Sequence, residues 1–225
     1  MNFVEKIDDS VKIERVLISV YDKGGLATFV PELLRINPEM VLYSTGGTYR
    51  VIADILGDSN SDRLVAVSKY TGQPEMQGGL VKTLDFKIYL GLLSETYNSA
   101  HRQDLERTGA VAIDMVVANL YPFQSTVAQD EVTPERARAN IDIGGPCMIR
   151  AAAKNYLRVA SVVDPGDYQA ITAELEQAGG RLSLATRFRL AQKTFAYTSE
   201  YDTAIAAYLG SCRQDQVRGS YPEVL

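Results

Sequence analysis

Short apolar runs alternate with stretches of helical periodicity along most of this chain. Arg15 to Val20 (R-V-L-I-S-V), Met40 to Ser44, Leu64 to Ser68, Ile113 to Leu120 and Val159 to Val163 are the runs. They have the length and continuity of strands covered on both faces. Between them, Leu26 to Arg35, Tyr49 to Leu56 and Asp85 to Leu93 read as helices. Thr133 with Pro134 reads as the cap and first position of a short helix, and Asp167 to Gln177 as a surface helix broken by Gly179-Gly180. Ser183 to Leu209 is the longest helical pattern, with Ser183 as cap and an apolar stripe of Leu184, Phe188, Ala191, Phe195 and Ile205. Five strands alternating with helices predict an α/β fold, a Rossmann-like five-stranded parallel sheet flanked by helices with a C-terminal helical extension.

The expected organisation is a single domain, 1–225, with an α/β core over 15–165, the helical extension over 166–209 and a tail over 210–225. Met1 to Glu14 reads as a loose lead-in, Thr96 to Arg107 as polar surface and Gly210 to Leu225 as lacking any further element. A hydrophobic share of 46% is ample for a buried core. The net charge of -5 offers no basic surface for nucleic acid, though a locally positive cleft can still hold an anion. Cys147 and Cys212 make no disulfide framework, and with one histidine there is no zinc cluster to assemble. With no signal peptide or long apolar run to read, the expectation is a soluble, cytoplasmic protein without membrane contact.

Chemistry concentrates in Asn140 to Asn155, N-I-D-I-G-G-P-C-M-I-R-A-A-A-K-N. Gly144 and Gly145 allow close backbone approach, Pro146 suits the first helical position and Asn155 suits the stop. Asp142 then sits at the positive end of a helix, and Arg150 and Lys154, four apart, share a face. These are the parts of a site for a polar anionic small molecule; an ordinary capped helix with a solvated basic face uses the same residues. Ser44-Thr45-Gly46-Gly47-Thr48 joins strand to helix in the manner of a phosphate cradle, or of a tight capped turn. The long loop Lys69 to Leu84 ends G-G-L-V-K-T-L, with Lys82 and Thr83 nearest the next element. Ligands of an open parallel sheet lie beyond the strands' carboxyl ends, which puts Asn119 and Tyr121 on the same rim. His101 reads as an exposed side chain without a role.

Taken together, S-T-G-G-T, G-G-L-V-K-T-L, N-L-Y-P-F, N-I-D-I-G-G-P and R-A-A-A-K-N resemble the inosine monophosphate (IMP) cyclohydrolase domain of the bifunctional purine-biosynthesis protein. S-V-Y-D-K, T-G-Q-P-E-M, V-V-D-P-G-D-Y and Y-D-T-A-I agree, so the resemblance runs from Arg15 to Leu209. S-T-G-G-T is shared with methylglyoxal synthase and argues only for phosphate. The resemblance implies a methylglyoxal-synthase-like fold and the closure of 5-formamidoimidazole-4-carboxamide ribonucleotide (FAICAR) to IMP with loss of water. It implies no cofactor and no metal; the long apolar helix adds the expectation of a homodimer. Carried over by position, it places catalysis on Lys82, Tyr121, Asp142 and Lys154, with Asp142 held by Lys154. Lys23, Thr45, Gly46, Gly47 and Thr48 would hold the 5′-phosphate. Thr83, Asn119, Ile143, Gly144 and Gly145 would complete the substrate contacts, with N–H groups around the two glycines binding oxygen atoms of the base. Departures from the pattern are Leu80 for arginine, Asp85 and Tyr89 for histidines, Phe86 for proline and Tyr156 for the histidine after A-K-N. They leave room for two other readings, a nucleotide-sensing module without activity and a methylglyoxal synthase-like lyase. The resemblance does not extend to the transformylase domain, so transformylation is not expected.

Overall fold

The computed structural model describes residues 3–74, 76 and 81–223, with Ser59 described by its backbone only. The chain runs β1 (Ser10–Lys12), β2 (Arg15–Ile18), α1 (Leu26–Ile36), β3 (Val41–Ser44), α2 (Gly46–Leu56), a 3₁₀ turn and β4 (Leu64–Ala66). There follow α3 (Val67–Thr71), α4 (Phe86–Leu93), α5 (Ser99–Thr108), β5 (Met115–Val117), α6 (Phe123–Val127) and α7 (Pro134–Ala139). The last third holds α8 (Gly144–Lys154), β6 (Ala160–Val162), α9 (Tyr168–Gln177), β7 (Arg181–Ser183), α10 (Leu184–Ser211) and α11 (Gln214–Gly219).

Strands β4-β3-β2-β5-β6 lie in that order, all parallel, as the alternation of apolar runs and helices predicts. Side chains along a strand alternate between faces. Val16, Ile18, Leu42, Met115, Val117 and Val162 therefore join one core with α1, α2 and α9, while Leu17, Tyr43 and Val116 join a second with α4 and α8. Both faces being covered explains why the runs are continuous rather than alternating in polarity. At about 25 cal/mol per Å² of apolar area, these two cores supply the main drive for folding.

Two buried arginines lock the layers. Arg158 donates to the carbonyls of Ser94, Ile113 and Gly91 and to Asp114 Oδ1 (3.2 Å), whose Oδ2 accepts from the N–H groups of Glu14 and Arg15. Arg187, wholly buried, makes no salt bridge to a carboxylate among the described residues and instead donates to the carbonyls of Asp8, Asp9, Tyr156, Leu157 and Leu182.

The sequence reading differs from the structure in several places, each with a local cause. The lead-in carries β1, which pairs antiparallel with β7, Ser10 opposite Ser183. Three residues of mixed polarity give no local signal, and the partner lies far along the chain. Ser183 ends β7 and also caps α10, its Oγ accepting from Thr186 N–H. The stretch after β4 turns into α3 at once, and Thr96 to Arg107 contains α5, capped by Asn98. His101 is half-buried and accepts from Glu95 N–H (3.1 Å), so it does have a structural part. α11 stands in the expected tail. The face that α10 buries is Arg187, Leu190, Ala191, Thr194, Thr198 and Tyr201; Phe188 and Phe195 remain 45% and 40% exposed. Small and hydroxyl-bearing residues let α10 approach β6, where Thr194 Oγ1 donates to Ser161 O and Oγ. The loop departure at Leu80 lies outside the described residues.

Candidate active site

The carboxyl ends of β2, β3 and β5 open onto one rim. The fold branches here: from the central β2, β3 and β4 extend one way, β5 and β6 the other, and the connecting loops part to leave a crevice. β3 feeds Thr45, the extended N-cap of α2, whose side chain makes no cap bond. Gly46 follows at φ 49°, a conformation that disfavours a side chain. Tyr49 N–H closes the first helical bond on Thr45 O, which leaves the N–H groups of Gly46, Gly47 and Thr48 at the positive end of α2 for an anion.

Two cations stand over this cradle. A Cβ built on Gly46 would lie 3.4 Å from Lys82 Nζ, and one on Gly47 would lie 3.9 Å from Lys23 Cε. Lys23 is steered by its own turn, donating to Tyr21 O (2.9 Å). Thr45 Oγ1 meets Ser19 Oγ at 3.1 Å and retains capacity for a ligand oxygen. A cavity of about 150 Å³ beside the cradle is lined by Thr45, Gly46, Lys82, Arg50, Ser68 and Gln73. Arg50, Ser68 and Gln73 were not singled out from the sequence. For Arg50 there was a signal, since it lies four residues after Gly46 on the same face of α2.

The structure corrects the roles of two expected contacts. Thr48 is buried, its hydroxyl donating to Val20 O (2.9 Å) and accepting from Val20 N–H (3.1 Å), so only its backbone N–H is left for phosphate. Asn119 spends its amide on the β2–α1 turn: Oδ1 accepts from Tyr21 and Asp22 N–H groups, and Nδ2 donates to Asp22 O.

The start of α8 closes the other side. Gly144 is tight against Thr83, since a Cβ there would lie 2.7 Å from Thr83 Oγ1. A Cβ on Gly145 would overlap both the Asp142 carboxylate and Leu120, the neighbour of Tyr121. Asp142 is fixed at both ends: its N–H donates to the Tyr201 hydroxyl (2.8 Å), and its Oδ1 accepts from Gly145 N–H (2.9 Å). Burial pushes its carboxyl above the ordinary carboxylate range, against the opposing pull of the Gly145 and Gly144 N–H groups. No lysine or arginine pairs with it among the described residues. The expectation that Gly144 and Gly145 bind oxygen atoms of a base is therefore corrected, because both N–H groups face Asp142. Pro146 has no N–H and Cys147 N–H is used on Ile143 O, so the α8 terminus is fully occupied. Ile143 is 60% exposed at this edge.

Tyr121 is half-exposed and lines a larger cleft of about 1130 Å³ together with Lys23, Asn119, Tyr197, Tyr201 and Lys193. Tyr197 supports it from α10, its hydroxyl accepting from Leu120 N–H (3.0 Å). Tyr197 carries no sequence signal beyond its place on the long helix, whereas Tyr201 opens the Y-D-T-A-I motif. Lys154 does not reach this rim. It is the last residue of α8, exposed, and at 1.5 Å per residue it stands roughly 15 Å from Gly144. Its expected pairing with Asp142 is not made within one chain. Asp85 spends its charge as the cap of α4, accepting from Lys87 N–H (2.8 Å). Among the described residues no group of three His, Cys, Asp or Glu side chains is placed to hold a metal ion, and no helix is long and apolar enough to cross a membrane.

Two family models match: MGS-like domain over residues 25–147, and AICARFT/IMPCHase bienzyme over residues 152–224. The bifunctional purine biosynthesis protein PurH of Acidithiobacillus ferrooxidans is 44% identical over 95% of this chain and 40% of its own length. PurH of Neisseria meningitidis is 44% identical over 94% of this chain and 38% of its own. The chain thus spans about two fifths of the length of these relatives. Among solved structures, the crystal structure of ForH superposes with a TM-score of 0.71 at 30% identity, over 86% of this chain and 97% of that one. The chain belongs to the MGS-like domain family, and its likeness within that family is to the IMP cyclohydrolase domain of PurH proteins.

Proposed function

We propose that the chain is an IMP cyclohydrolase that closes the ring of FAICAR, and that the rim described above is its active site. The observation that carries this reading is Asp142: a half-buried carboxylate at the rim that among the described residues has no cationic partner, beside the α8 glycines that pack against Thr83, the neighbour of Lys82. A module that only senses a nucleotide needs the cradle but has no use for a carboxyl poised to take a proton.

The 5′-phosphate binds the N–H groups at the start of α2, Thr45, Lys23 and Lys82's flank of the cradle. With the phosphate held, the carboxamide nitrogen meets the formyl carbon of the same molecule in a near-attack geometry. Asp142 takes the carboxamide proton, its raised affinity for protons suiting it to a base that works near neutrality. Lys82 stabilises the formyl oxygen as it gains charge, and that oxygen takes up the proton removed by Asp142. Tyr121 then donates a second proton to it while the formamido nitrogen releases its own, so that the C–O bond breaks, the C=N bond forms and water departs. The helix terminus of α8 has no free N–H for that oxygen, which puts this duty on side chains. Lys154 takes part only if a second copy of the chain brings it to the rim. A homodimer on the face bearing exposed Phe188 and Phe195 is part of the proposal, and sedimentation as a monomer at micromolar concentration would remove both ideas.

Incubation with FAICAR, followed by ultraviolet absorbance, tests the function. IMP should form well above the spontaneous rate. Binding without turnover would establish a sensor, and phosphate release from dihydroxyacetone phosphate would establish the lyase.

A further inference from the structure

Among the described residues Tyr121 has one aromatic ring neighbour. The Tyr21 ring packs edge-on against it, centroids 5.4 Å apart and planes at 68°, and both side chains are 50% exposed at the mouth of the large cleft. Among the described residues the Tyr121 hydroxyl makes no hydrogen bond, so Tyr21 is what limits its ring. Tyr21 is itself held: its N–H donates to Asn119 Oδ1 (2.7 Å) and faces Asn119 O (3.4 Å). Asn119 lies two residues before Tyr121, so the amide that fixes the Tyr21 backbone belongs to the same short segment as the ring that Tyr21 supports. The two loops leaving β2 and β5 are thereby tied into one unit with the two rings at its tip.

The geometry points to Tyr21 as a positioning residue, an aromatic brace that aims the Tyr121 hydroxyl into the cleft. This rests on the cyclohydrolase reading, in which that hydroxyl delivers a proton during loss of water. An edge-to-face pair restrains a ring without touching substrate, so losing it should affect the proton-transfer step and not the phosphate contacts.

The test is steady-state kinetics on FAICAR with Tyr21→Ser, Tyr21→Leu and Tyr21→Phe, each also in a Tyr121→Phe background. Tyr21→Ser and Tyr21→Leu should lower kcat about fivefold to tenfold with KM little changed, as loss of an aromatic pair worth that factor allows. Tyr21→Phe, which keeps the ring, should restore kcat. With Tyr121→Phe already present, removing the Tyr21 ring should cost nothing more, because its effect passes through the hydroxyl that is gone. An unchanged kcat in Tyr21→Ser and Tyr21→Leu, or an equal loss in both backgrounds, overturns the brace while leaving the enzyme reading intact. A wild type without turnover, or a Tyr121→Phe as active as wild type, overturns the functional reading and the brace with it.

Discussion

Replacing Asp142 by Asn is expected to lower kcat by about a hundredfold or more, the usual loss on removing a proton-transfer group, while leaving the protein at least as stable as wild type at neutral pH. The two halves of this result come from the same feature. Burial raises the Asp142 carboxyl above its ordinary range, so the folded protein binds its proton more tightly than the unfolded chain does. The stability this group contributes is complete below the unfolded carboxylate range and is lost as pH rises through the raised folded value. At pH 7 the ionised side chain thus opposes folding, and Asn relieves that while keeping an acceptor for Gly145 N–H. Thermal melts at pH 7 and near pH 4 should show the Asn variant gaining on wild type as pH rises. The acid limb of kcat for the wild type should also fall above the ordinary carboxylate range. A variant that loses stability at pH 7, or keeps its kcat, removes Asp142 from this role.

The second large effect is structural. Arg158→Met should destabilise the fold by about 3–5 kcal/mol, because it strands the buried Asp114 carboxylate. For a chain of this size that is a fall in melting temperature of roughly 10 °C. The double variant Arg158→Met with Asp114→Asn should recover part of the loss, since no unpaired charge is then buried. Equal losses in the single and double variants would mean that the carbonyl contacts of Arg158 alone carry its effect.

The strands, the glycine turns and the start of α8 were legible in the sequence because each has a local physical cause. A two-sided core demands continuous apolar runs, and Gly46 at positive φ and Gly145 against Asp142 demand glycine. What was not legible depends on distant partners. β1 exists because β7 meets it, and Arg187 is buried because five carbonyls converge on it. Thr48 and Asn119 have the right groups for a ligand, but Val20 and the β2–α1 turn use them first. That Lys154 does not meet Asp142 within one chain follows from helix geometry: a helix beginning at Gly144 carries its eleventh residue away from Asp142, and the rise per residue alone says how far. The proposed site is thus a rim shared by α2, the Lys82 segment, Tyr121 and Asp142, with the far end of α8 in the same chain outside it.

Steady-state kinetics of Thr45→Val against Lys82→Met tests most directly whether binding and chemistry divide along this rim. The phosphate is the same in ground and transition states, so Thr45→Val should raise KM about tenfold, for a hydrogen bond to a charged group worth roughly 1.5 kcal/mol, and leave kcat nearly unchanged. Lys82 stands over the cradle and in the proposed reading also stabilises the oxygen whose charge grows, so Lys82→Met should raise KM and, unlike Thr45→Val, also lower kcat by about a hundredfold. If Thr45→Val depresses kcat while Lys82→Met alters KM alone, the chemistry does not lie where this site places it.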